Sequence, residues 1–183
     1  MLAGHFGVGL ALKAKYPSVP LGAILLASTF PDLLLALLLT TGWESLAAAP
    51  GTPLRPAAFA STPFSHDLFM VLIYACIAAS LGLLLWSSRW ALALGLALGS
   101  HVGLDLLVHG RDIGLGGPWL PFRAGLGLGE SAPLAAWGLE FLTVLVGGAL
   151  YWQAAVPKQP RRWRVWSVAA LPAAFQLVAL AFW

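Results

Sequence analysis

WALALGLALGSHVGLDLLVH, residues 90–109, decides the fold. Apart from its histidines, only Asp105 in this stretch is ionisable. An apolar run of about 20 residues is what a helix needs to cross the hydrocarbon core of a bilayer. Working outward, similar runs cover Val19–Thr40, Leu68–Ser87 and Pro133–Val156, and a fifth reaches from Val165 to Trp183. Met1–Leu12 is also apolar, but short, and Lys13 and Lys15 follow it. It reads as a helix that inserts only part-way. Its positive charge follows the apolar stretch and no small-residue cleavage site comes next, so it is expected to be retained rather than removed as a secretory signal.

Composition agrees with this reading. Hydrophobic residues make up 60% of the 183 and charged residues 9%, where a soluble domain carries roughly a quarter charged. Nothing alternates with period two, and open strands in lipid would leave backbone groups unpaired. The predicted class is all-α. It is a polytopic membrane helix bundle of five transmembrane helices plus a short N-terminal membrane-inserted helix, with residues 1–183 as a single integral membrane domain. The bilayer is its expected partner. A net charge of +3 without a basic stripe excludes nucleic acid, and the lone Cys76 excludes an intrachain disulfide. Oligomeric state is left open.

Lys and Arg in short loops set orientation. Lys13, Lys15, Arg89, Lys158, Arg161, Arg162 and Arg164 fall at one set of span ends, and Arg55, Arg111 and Arg123 at the other. The richer set is expected in the cytoplasm, for a multi-pass protein of the plasma (inner) membrane. Gly95, Gly99 and Gly103 recur at every fourth position of the third span. Small residues at that spacing let helices approach closely in lipid, so this helix is expected to be central.

Asp32, Asp105 and Glu140 lie inside predicted spans. Uncompensated, three charged acids there would cost on the order of 8–10 kcal/mol. No Lys or Arg lies inside a span to pair with them, which leaves a proton or a metal. His101, Asp105 and His109 are spaced i, i+4, i+8 and drift only about 80° round the helix, so they share one stripe. At 1.5 Å per residue from the inner turns, His5 and His101 lie about 18 Å deep, Asp32 about 22 Å, and Asp105 and Glu140 about 24 Å. Four helices thus place ligand-type side chains in one layer, and His66 reaches it from the outer end of the second span. Asp67 reads as that span's N-cap. Gly125–Gly129, before which no strand is expected, reads as a flexible connection rather than a phosphate loop.

Several of these residues form an ordered set: Gly4-His5-Phe6-Gly7, Pro31-Asp32, Pro63-Phe64-Ser65-His66, and Ser100-His101 with Asp105 and His109. Arg111-Asp112 and Gly125-Leu126-Gly127-Leu128 continue it. Over roughly residues 1–150 the set resembles the predicted membrane-bound metal-dependent hydrolases (YdjM-like). It departs from them at Leu34, where members tend to carry a second acid, and in lacking a His-Arg pair before His66. The resemblance implies a metal site of His5, Asp32, His66, His101 and Asp105, with His109 and Glu140 as additions.

The chemistry expected is membrane-embedded, metal-dependent hydrolysis of a phosphoester or lipid-like amphiphile near the outer leaflet. Imidazole with carboxylate suits Zn²⁺, and also Mn²⁺ or Fe²⁺. The number of candidate ligands allows one or two ions. Glu140 or Asp112, left unligated, would serve as general base, and Arg111 and Arg123 would hold the substrate phosphate. The competing classes are a metal or proton transporter and a non-catalytic scaffold with a structural metal.

Overall fold

The computed structural model describes residues 2–48, 57–155, 163, 167–168 and 170–174. Its helices are α1 (Leu2–Lys15), α2 (Leu21–Thr41), α3 (Leu68–Leu85), α4 (Ser88–Val108), the single turn α5 (Leu128–Ser131) and α6 (Pro133–Ala155). Among the described residues, four helices, α2, α3, α4 and α6, are long and apolar enough to cross a membrane. Their ends fall within two residues of the spans expected from hydropathy. The fifth expected span, Val165–Trp183, lies largely outside the described residues, as do Arg55, Lys158, Arg161, Arg162 and Arg164. Helix α1 has 14 residues, so it is about 21 Å long, too short for a hydrocarbon core of about 30 Å.

The all-α expectation holds for the spans but not for their connections. Strand β1 (Ser45–Ala48) pairs antiparallel with β2 (Ala57–Ser61), and β3 (Ile113–Gly114) with β4 (Arg123–Ala124). These ribbons form beyond the helix ends, where strand edges can find water or protein partners. Strands so short, and so rich in alanine and glycine, leave no period-two signal to read.

Helix α4 packs against α1, α2 and α3, while α1 packs against α2, α4 and α6. Two of the three stripe glycines make the expected close approach: Gly95 faces Ala79, and Gly99 faces Ala75. Gly103 faces open space. The tightest crossing is that of α1 with α6. A Cβ on Gly7 would fall 2.5 Å from the Thr143 carbonyl oxygen, and one on Gly147 would run into the backbone of Gly7. Glycine on both sides lets the two backbones touch.

The turns are held locally. Lys13 Nζ donates to the carbonyls of Pro17 and Val19, each at 2.7 Å, and so closes the α1–α2 corner. Gly42, with φ 75°, ends α2 in a left-handed cap whose N–H reaches back to the last turn, a conformation that costs glycine nothing. Asp67 caps α3 by accepting from the N–H groups of Phe69 and Met70. The Gly125–Gly129 run is bound to α4 rather than loose. Leu126 N–H donates to Leu106 O and Gly127 N–H to His109 O. Gly125, at φ 148°, leaves no room for a Cβ beside the carbonyls of His109 and Gly110.

Replacing Gly147 with leucine should force α1 away from α6 at a cost of about 1–3 kcal/mol. Gly138→Leu on the same helix, where an added Cβ meets nothing within 4 Å, should be tolerated. The apparent Tm of the two variants in detergent checks this, and equal values would show that the backbone contact is not needed.

Candidate metal centre

Four segments deliver side chains to one point. His5 comes from the second turn of α1, and Asp32 follows the proline inside α2. His66 lies just before the α3 cap, and His101 and Asp105 come from successive turns of α4. His5, His66, His101 and Asp105 are buried, while the Asp32 side chain keeps 26% of its surface exposed. It is the carboxylate of the cluster that keeps some exposed surface, while Asp105 is buried.

The ligand atoms converge. His66 Nε2 and His101 Nε2 are 3.3 Å apart. Asp105 Oδ2 lies 3.4 Å from His101 Nε2 and 3.6 Å from His66 Nε2. Asp32 Oδ1 lies 3.5 Å from His66 Nε2 and 3.8 Å from His101 Nε2. On the far side, His5 Nε2 is 3.3 Å from Asp105 Oδ1, and its ring stacks on His101 at 3.6 Å. Two groups, His5 with His101 and Asp105, and Asp32 with His66 and His101, each hold ligand atoms within 4.8 Å of one another. Buried His/Asp groups of this kind can hold a metal ion.

Two observations test the fit. His5 Nδ1 and Asp32 Oδ2 are buried without a hydrogen bond, and His5 Nε2 has only the ion-pair contact with Asp105, which is costly unless a further partner arrives. His101 Nδ1 lies 2.9 Å from the Ser28 carbonyl oxygen. A carbonyl can only accept, so Nδ1 carries the hydrogen and Nε2 of the neutral ring offers a lone pair to the cluster. Holding a ligating imidazole through its other nitrogen is the usual way a protein aims it at a metal.

The structure does not bring every expected site residue here. His109 caps the C-terminus of α4 and stacks on Phe59 at 4.2 Å, with Nδ1 3.4 Å from Asp112 Oδ1. Asp112 also accepts the Phe59 N–H at 3.0 Å. Arg123 donates to the carbonyls of Phe59 and Ala60. Asp112 and Arg123 therefore clamp β2, which lays Phe59 over His66 at 4.5 Å. Glu140 accepts the Gly4 N–H at 3.1 Å, next to His5 on α1. Arg111 is exposed. None of His109, Asp112 and Glu140 belongs to either group of converging ligand atoms.

Hydropathy and motif spacing both pass over Glu44. It is buried just past the end of α2, and its Oε1 accepts the N–H groups of Phe64 and Ser65, each at 2.8 Å. The one signal available was an acid within a few residues of a span end in a chain that has only seven Asp and Glu. Comparison of the chain with protein-family models, curated proteins and solved structures gives no match. What the cluster can do follows from its own chemistry.

Zn²⁺ at about 100 times its Kd should stabilise the folded protein by about 2.7 kcal/mol, read as a rise in apparent Tm. His101→Ala and Asp105→Asn should lose most of that rise, and Asp112→Asn should keep it. A rise that is the same in all three variants would place the ion elsewhere.

Proposed function

We propose that this protein is a membrane-embedded, metal-dependent hydrolase acting on a phosphoester or lipid-like substrate. The observation that carries the reading is the donor set: buried imidazoles with carboxylates and without cysteine, one carboxylate only partly buried. Ligands bonded at about 2.1 Å in a tetrahedron lie roughly 3.4 Å from each other. His66 Nε2 and His101 Nε2 lie 3.3–3.8 Å from each other, from Asp105 Oδ2 and from Asp32 Oδ1, close to that spacing. Zn²⁺ is the preferred ion, with Mn²⁺ or Fe²⁺ also suited to imidazole and carboxylate. His101 can offer only Nε2, which favours one shared ion over two. The resemblance to the YdjM-like hydrolases points the same way.

When bound, the ion supplies a Lewis acid that lowers the pKa of a coordinated water and polarises the scissile group. The chain's own residues do the rest. His66, His101 and Asp105 hold the ion, with His5 braced against the second oxygen of Asp105. Asp32, partly exposed and with a buried, unpaired Oδ2, would take a proton from the attacking water. This moves the base from Glu140 or Asp112, which are occupied in holding α1 and β2. Arg111 remains as the exposed cation at the same end for a substrate phosphate.

A structural metal in a non-catalytic scaffold is the second reading, favoured by the two carboxylates that both reach the His66–His101 pair. Closed structural zinc sites are built mainly from cysteine with histidine, and Cys76 is exposed and outside the cluster. In the membrane we place five spans, including Val165–Trp183, with α1 inserted part-way and the cluster toward the outer face of the plasma (inner) membrane.

Removing a general base costs about 10²–10⁴-fold in rate. Asp32→Asn should therefore slow hydrolysis of a phosphoester panel at least about 100-fold, and Asp105→Asn should abolish it, while both variants stay folded in detergent. Stoichiometric metal without hydrolysis of any ester would favour the scaffold. Metal-free protein that couples proton flow to uptake in liposomes would favour a transporter.

For topology, Arg89→Cys and Arg111→Cys in a Cys76→Ala background should label from opposite sides of sealed vesicles, with Arg111→Cys reacting from the outside. Labelling of both from one side would sink the arrangement.

A further inference from the structure

Glu44 and Ser65 form a chain that ends on a ligand-type histidine. The left-handed cap at Gly42 reverses the backbone after α2 and carries Glu44 back to the Pro63-Phe64-Ser65-His66 turn, where Trp43 leans on Phe64 at 5.9 Å. Glu44 Oε1 is taken by two backbone N–H groups, and Oε2 by the Ser65 hydroxyl. Ser65 Oγ also lies 2.9 Å from His66 Nδ1. Glu44, Ser65 and His66 are all buried.

A hydroxyl has one hydrogen to give. Three donors converge on Glu44, which suits the carboxylate form, so the Ser65 hydrogen points to Oε2. Ser65 Oγ can then only accept from His66. Nδ1 must carry the imidazole hydrogen, and Nε2 is left with its lone pair facing Asp32, His101 and Asp105. We propose that Glu44, acting through Ser65, is a positioning residue that fixes the tautomer and aim of His66 at the metal centre. His101 receives the same tautomer from the Ser28 carbonyl, so each imidazole is set from behind by an acceptor. The consequence for metal affinity rests on the proposed metal reading, whereas the tautomer does not.

Glutamine at position 44 would present an N–H donor to Ser65, freeing the hydroxyl hydrogen to turn toward Nδ1. The test uses full-length protein in detergent, labelled with ¹⁵N-histidine and free of metal, with the His66 signals assigned by His66→Asn. NMR should show the hydrogen on Nδ1 in the wild type and in Ser65→Thr. In Glu44→Gln it should move in part or wholly to Nε2. With Zn²⁺ as the probe, Glu44→Gln and Ser65→Ala should bind about 10–100-fold more weakly, and Ser65→Thr within a few-fold of the wild type. If Glu44→Gln fails to fold, the Ser65→Ala and Ser65→Thr pair carries the test. A wild-type hydrogen on Nε2, or a tautomer and affinity unmoved by any of these variants, overturns the proposal. A wild type that binds no divalent metal, yet whose His66 tautomer follows residue 44, keeps the positioning role and overturns the metal reading instead.

Discussion

Asp105 is a carboxylate buried among apolar helices with three imidazoles round it and no Lys or Arg along the span beyond Arg89. A charge in that position is tolerated only where something positive is shared with it. Much of the bundle can be understood as supplying and aiming those partners. Helix α4 presents His101 one turn away, α1 brings His5 against one oxygen, and the turn before α3 brings His66 against the other. The crossing of α1 with α6 at Gly7 and Gly147 matters for the same reason. It presses a helix too short to span the bilayer against the bundle, at the depth where His5 is wanted.

Polar residues outside the cluster divide into those that hold its side chains or helices and those that fasten the connecting ribbons. Ser28 holds His101 from behind, and Glu140 holds the start of α1 beside His5. Asp112 and Arg123 grip the backbone of β2 at Phe59 and Ala60, and the Phe59 ring packs on His66 and His109. Asp67 uses one carboxylate oxygen to cap α3 and the other to accept the Gly116 N–H, which fastens the connection after α4 to the helix that follows His66. Through Phe59 the β1–β2 ribbon lies against two of the buried histidines.

Four of the five expected spans were legible in the sequence, because burial in hydrocarbon demands long apolar runs whatever the tertiary arrangement. So was the shared depth of His5, Asp32, His101 and Asp105, because a helix advances by a constant rise and the turns mark where each begins. The Asp67 cap was legible from its place before an apolar run. Glu44 was not, since a loop acid has no periodicity and its partners, Phe64 and Ser65, lie about 20 residues away in the chain. Nor were the duties of Asp112, Arg123 and Glu140, which as isolated residues look as fit for catalysis as for holding backbone.

The chain's local pattern alone was enough to place four apolar helices long enough to cross a membrane, and to put His5, Asp32, His101 and Asp105 at a common level. Depth and period are properties of a single helix, and one chain segment is enough to state them. Only the tertiary structure decided which groups at that level meet, that His109 and Glu140 turn to other partners, and that a serine and a glutamate stand behind His66. Those choices depend on how helices rotate and cross and on where loops fold back. Such contacts join residues far apart in the chain, and no local pattern encodes them.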